Sequence, residues 1–229
     1  MNKRIISAIA ATAALITGAA DASTLVFAED FEGTQISKRW RVFDTFGQFV
    51  TVDGAGIEIQ RDGTVVHTPN GNQYVELDSH KGNGGDVNAP TNNSAMAAIA
   101  NLVAGAEHTL SFLYQPRTNH SYDNGIAVSV GNLDTTGPSP VFTQSLDLGS
   151  VDGQRNTFGG WQLITMTFRA GITDNAIMFR AFGKDNTLGG FLDDVKVHAD
   201  LDDISSVPLP AGALLLGTGL LALGRRRRG

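Results

Sequence analysis

The chain has no cysteine. Disulfide stapling and thiol nucleophiles are therefore excluded, and stability must come from a packed core or a metal. It has no G-x-S-x-G elbow, no H-E-x-x-H and no glycine-rich loop set between a strand and a helix. Its five histidines, at positions 67, 80, 108, 120 and 198, show no close metal-ligand spacing. Long amphipathic helical patterns are missing from the middle, and no repeat of fixed period is visible. Basic residues are scarce once the two ends are set aside. Removing Lys3, Arg4, Arg225, Arg226, Arg227, Arg228 and Asp21 from totals of 17 and 23 leaves 11 bases against 22 acids over residues 23–224. Such a body repels nucleic acid and suits cations. Carboxylate pairs abound in so acidic a chain, so no pair by itself points to glycoside hydrolysis.

What is present begins at the ends. Asn2, Lys3 and Arg4 precede an apolar, small-residue run over 5–20, and Ala20-Asp21-Ala22 is an A-x-A site. Residues 1–22 read as a secretory signal peptide, handled by the Sec machinery and signal peptidase, with Ser23 as the mature start. At the other end Val207-Pro208-Leu209-Pro210-Ala211 is an extended, proline-bracketed motif. An uncharged Gly/Leu-rich run over 212–224 follows, then Arg225, Arg226, Arg227 and Arg228. The run alone reaches ~20 Å as a helix, but counting from Val207 gives the ~17–25 residues that span a bilayer. The arginines hold that end in the cytoplasm and leave the body outside. An ordinary tail anchor and a buried terminal helix are the alternatives. Residues 200–206, with Asp200, Asp202 and Asp203, read as a linker.

These tail residues resemble the VPLPA-CTERM sorting signal, a relative of the PEP-CTERM signals of Gram-negative bacteria. The resemblance implies cleavage near 207–211 by an exosortase-type transpeptidase. It also implies an inner-membrane intermediate, then delivery to the cell surface or an extracellular polysaccharide matrix.

Between the ends, residues 23–199 alternate between short apolar runs and Gly/Asn/Asp/Pro clusters, the pattern of an all-β sandwich. Strands are predicted over 24–28, 40–43, 49–52, 56–59, 73–77, 94–100, 108–114, 125–130, 141–148, 162–169, 176–182 and 190–198. The alanines of 94–102 would also suit a helical turn. Turns are expected at Asp53-Gly54, Asp62-Gly63, Asn70-Gly71, Asn124-Gly125 and Asp152-Gly153. Glu29-Asp30-Phe31-Glu32-Gly33 after the first strand, and Leu192-Asp193-Asp194-Val195 in the last, resemble jelly-roll carbohydrate-binding modules and related galactose-binding-like domains. That resemblance implies a jelly-roll sandwich, non-catalytic carbohydrate binding and a calcium ion between these two segments.

On its own terms, period two puts Phe191, Asp193, Val195 and Val197 on one face of the last strand. If that face is the core, Asp193 is a carboxylate among apolar groups and needs a cation or strong donors. Carboxylate oxygens without His or Cys suit Ca²⁺. The expected shell has side chains from Asp193 and Glu32 and backbone carbonyls near Asp30. The alternatives are an Arg or Lys partner, or a register that turns Asp194 inward. For a sugar, Arg117, Asn119 and Tyr122 in one loop combine guanidinium, amide and aromatic groups; a solvated turn is the plainer reading. Trp40 and Trp161 read as core aromatics rather than platforms, and 78–86 as a flexible loop without EF-hand spacing. The expected role is an exported protein that binds exopolysaccharide without catalysis. A structural matrix protein without a ligand and a glycan-active enzyme are the rivals.

Overall fold

The computed structural model describes residues 23–202. They form an all-β sandwich. The strands are β1 Thr24–Glu29, β2 Trp40–Phe43, β3 Thr45–Phe46, β4 Phe49–Asp53, β5 Ile57–Arg61, β6 Gln73–Glu76 and β7 Ala95–Ile99. Then come β8 Glu107–Gln115, β9 Gly125–Asp134, β10 Val141–Val151, the single turn α1 Arg155–Phe158, β11 Gln162–Arg169, β12 Ala176–Phe182 and β13 Phe191–Asp200. Every strand expected from alternation is found; β3 and α1 were not expected. The leader, the sorting motif and the arginine cluster lie outside the described residues. Among the described residues no helix is long and apolar enough to cross a membrane.

One sheet has the order β11-β8-β13-β6-β5-β2, with β1 also on β13; the other has the order β10-β9-β12-β7-β4-β3. Alternation decides what each face buries. Leu110, Phe112 and Tyr114 of β8 meet Ile126, Val128 and Val130 of β9 and Ile177 and Phe179 of β12 in the core between the sheets. Phe49 lies edge-on to Phe27 and Phe179, and Phe112 edge-on to Phe179. Each such ring contributes about 1.5–3 kcal/mol by leaving water. The alanine-rich segment is a strand: β7 pairs with both β4 and β12.

The last strand departs from simple alternation. Asp193 stands opposite Leu113 and Lys196 opposite Ser111, so one extra residue is inserted. Asp194 takes φ 48. This bulge changes the face presented. Phe191 packs with Val66 and Tyr74 on the outer side, whereas Val195 and Val197 point into the core. Asp193 therefore does not share a face with Val195 and Val197, as strict period two had it. Nor does Asp194 turn inward; its carboxylate pairs with Lys196 Nζ at 2.7 Å.

β13 also changes its second neighbour along its length. Phe191 and Leu192 face β6, while Val195–Ala199 face β1. Asp193 sits at the change-over.

Candidate functional site

The outer face of β2, β5 and β6 carries a row of buried polar side chains. In β5, Ile57 and Ile59 go to the core, so Glu58 and Gln60 turn outward. In β6, Val75 goes to the core, so Tyr74 and Glu76 turn outward, with Glu76 directly opposite Glu58. Surrounding loops cover this row, so all four are buried despite facing away from the core.

Buried polar groups must find partners, and these do. Gln60 Nε2 donates to Glu76 Oε2 at 2.5 Å and to Glu58 Oε1 at 2.9 Å. Tyr74 Oη donates to Gln60 Oε1 at 3.0 Å and accepts from the amides of Val65 and Val66. The amide of His80 donates to Glu58 Oε2 at 3.0 Å. Arg117 Nη1 reaches both oxygens of Glu76, at 2.6 and 2.5 Å, and the carbonyl of Thr187 at 3.1 Å. Its guanidinium also lies 5.9 Å from the centre of the Phe191 ring. Burial pushes the Glu76 carboxyl well up, against the pull of Arg117, and burial raises Glu58 as well.

Above this floor is a cleft of about 290 Å³ lined by Arg39, Trp40, Glu58, Gln60, His80 and Arg117, among others. Trp40 is half-buried at its rim, 5.3 Å from the His80 ring. Trp161 is half-buried too, edge-on to Tyr74, and its Nε1 donates to the carbonyl of His67. The core placement expected of both indoles does not hold for the main core: Trp40 lies beside His80, and Trp161 packs on the smaller outer cluster of Val66, Tyr74 and Phe191.

One rim of the cleft is strained. Thr187 takes φ 65, a left-handed conformation that costs a β-branched residue more than most. The amides on either side, of Asn186 and Leu188, both donate to Asp78 Oδ2. Asp78 is thus no part of a flexible loop: it is 1% exposed, and its Oδ1 is buried without a partner. Burial pushes its carboxyl up to about 6.

Of the three residues assigned to a sugar, the structure brings two together. Arg117 and Asn119 line a second cavity, of about 520 Å³, with Thr118, His120, Arg155 and Asn156. Tyr122 is 73% exposed, and its ring lines neither cavity. Its backbone is what counts: its amide donates to Asp152 and its carbonyl accepts from Lys184. Sequence reasoning missed Glu58, Gln60 and Glu76. Their signal was there, as polar residues alternating with Ile57, Ile59 and Val75, but an outward polar residue ordinarily faces water.

The acids assigned to calcium are split. Asp193 is fully buried. Its Oδ1 accepts from the Asp194 amide and its Oδ2 from Thr68 Oγ1 at 2.6 Å. Burial pushes it up to about 7, and the Glu32 carboxylate nearby pushes the same way. Glu32 accepts from the amides of Asn72, in the loop that carries Thr68, and of Gln73, the first residue of β6. Gly71 leaves room for it, since a Cβ there would fall 2.3 Å from Glu32 Oε1. The Asp30 carboxylate caps the Glu32 amide and lines a hollow with Asn70, Asp194 and Lys196. Among the described residues no three His, Cys, Asp or Glu side chains converge on one point.

The remaining donors nevertheless fit a hard cation. Thr68 Oγ1 lies 2.6 Å from Asp193 Oδ2 and 3.0 Å from the carbonyl of Asn70. One hydroxyl proton serves only one of those acceptors. Two carboxylates with a hydroxyl and a carbonyl are the oxygen types that Ca²⁺ takes, and an ion there would compete with the amides that Glu32 already accepts from. Glu32 and Asp193 would supply the charge, with Thr68 and Asn70 completing the shell.

No family model matches the chain, and no curated protein matches it. Solved structures similar to it include the K3 cleaved adhesin domain of Lys-gingipain from Porphyromonas gingivalis w83, with 19% identity, 77% of this chain and 99% of that one covered, and a TM-score of 0.47. Another is the CBM22-1 xylan-binding domain of Paenibacillus barcinonensis Xyn10C, at 9% identity, 80% and 98% coverage and TM-score 0.41. A third is the C-terminal CBM6 of LamC from Zobellia galactanivorans, at 8% identity, 66% and 98% coverage and TM-score 0.37. Each likeness is one of fold.

Proposed function

We propose that this chain is an exported, non-catalytic polysaccharide-binding protein with a jelly-roll body. It acts at the cell surface or in the extracellular matrix of a Gram-negative bacterium. The observation that carries this reading is the cleft on β2, β5 and β6. It sets a half-buried indole, Trp40, beside a rigid row of amide, carboxylate and guanidinium groups. Aromatic faces with fixed polar partners suit a sugar's apolar faces and hydroxyls.

Glu58 and Glu76 oppose each other, but they do not favour hydrolysis. Glu76 is wholly buried and bound to Arg117 and Gln60, which leaves it no access to a glycosidic oxygen.

Export follows from the leader, with cleavage after Ala22. The tail supports processing near 207–211 by an exosortase-type enzyme after membrane insertion. A structural Ca²⁺ on Glu32 and Asp193 would tie the segment after β1, the 62–72 loop and β13 together, which is a role in stability and not in chemistry.

Screening the full chain in detergent against a glycan array tests the binding role. Binding should appear, and W40A should weaken it about tenfold or more, as the loss of a central aromatic anchor does. No response to any glycan would refute the role. Release of reducing ends from a bound glycan would make the protein an enzyme. Mass spectrometry of the protein recovered from its own cells should show Ser23 as the first residue and a chain ending within or before 207–211.

A further inference from the structure

The two cavities adjoin. Arg117 lines both, and the consecutive residues Thr187 and Leu188 line one each. Taken together they expose three guanidinium groups, Arg39, Arg117 and Arg155, with the imidazoles of His80 and His120. This runs against the charge of the body as a whole, where acids outnumber bases 22 to 11 over residues 23–224.

The carboxylates that line these cavities are withdrawn. Glu58 is 5% exposed and Asp123 is 4% exposed. Glu58 accepts from Gln60 and His80, and Asp123 from Thr118 and Asn186. The cations are not withdrawn. Arg155 is exposed, and its side chain has no hydrogen-bond or ion-pair partner among the described residues. Arg39 is exposed and gives one hydrogen bond, to the carbonyl of Thr64. Arg117 is paired with the buried Glu76 and so adds donors rather than net charge: its three protein contacts all use Nη1, leaving Nη2 and Nε to donate. Guanidinium forks match carboxylate and sulfate geometry.

We infer that the ligand of this face is an acidic polysaccharide, one bearing carboxylate or sulfate groups that meet Arg39, Arg117 and Arg155 while a neutral ring face lies on Trp40. The inference rests on the polysaccharide-binding reading and narrows it to one charge class.

Matched pairs test it: polygalacturonate against its methyl ester, and dextran sulfate against dextran, with neutral xylan alongside. The full chain is titrated with each in detergent at low and high salt. At least one acidic member should bind about tenfold tighter than its neutral twin, and the gap should close as salt screens the charges. R155Q and R39Q should each lower acidic binding several-fold, and by a clearly larger factor than any neutral binding. Both positions are exposed, so an unchanged melting midpoint shows that the variants fold. Equal affinity within both pairs, or full acidic binding by the R39Q/R155Q double variant, overturns the inference. Binding confined to neutral glycans also overturns it, while the polysaccharide-binding role stands. Failure to bind any glycan overturns both.

Discussion

Arg117 is the residue on which the cleft floor depends. It neutralises Glu76, whose carboxylate has no contact with water. R117M would leave that carboxylate buried and unpaired, at a cost of about 3–5 kcal/mol in urea denaturation. R117M/E76M, which removes both charges, should regain much of that loss. Thr187 invites the opposite experiment. Its left-handed backbone suits glycine, so T187G should stabilise the protein by about 0.5–1 kcal/mol in the same urea denaturation. Asp78 ties residue chemistry to pH. Its carboxyl is pushed up to about 6 from an ordinary 3.8, so the folded protein holds this proton more tightly than the unfolded chain. The stability it contributes is full below about pH 4 and is lost as pH rises through about 6. Asn keeps an oxygen for the amides of Asn186 and Leu188. The stability of wild type minus that of D78N should therefore fall between pH 4 and pH 7, and a flat difference would contradict the burial argument.

The strands were the most legible elements. Alternation of Leu110, Phe112 and Tyr114, and of Ile126, Val128 and Val130, assigns core faces without ambiguity because a one-residue slip would expose every ring. The alanines of β7 were equivocal alone and were settled by pairing on both sides. β3 and α1 escaped because elements of two and four residues carry too few positions to show a period. The bulge at Asp194 escaped for another reason. Nothing in Leu192-Asp193-Asp194-Val195 distinguishes an inserted residue from a regular one, so strict period two assigned Asp193 to the wrong face. The cleft was half legible: Arg117 was singled out, but the row it binds was not. Its burial is made by loops distant in sequence, which alternation within a strand does not register. The gap beside Asp193, where β13 passes from β6 to β1, is also where an ion would act. Millimolar Ca²⁺ should raise the melting midpoint of the chelator-treated protein by several degrees, and D193N should abolish that rise. No shift in wild type would leave Asp193 to its Thr68 and Asp194 donors alone.

At the scale of the whole molecule, the arrangement of β13 separates two ends. The cleft floor is level with Phe191, since Glu76 faces Phe191 on one side and Glu58 on the other. The strand then runs on to Asp200, beside the start of β1 at Thr24. Nine residue steps at about 3.3 Å put some 30 Å between the floor and the place where the chain leaves the sandwich. Anything that holds this protein by its C-terminal side therefore holds it by the end opposite the cleft. Tension on such a tether would run along a strand laced to neighbours on both flanks, shearing many hydrogen bonds at once instead of unzipping them singly. On the proposed surface role, flow would load the cleft's hold on a polymer without first prising the cleft open.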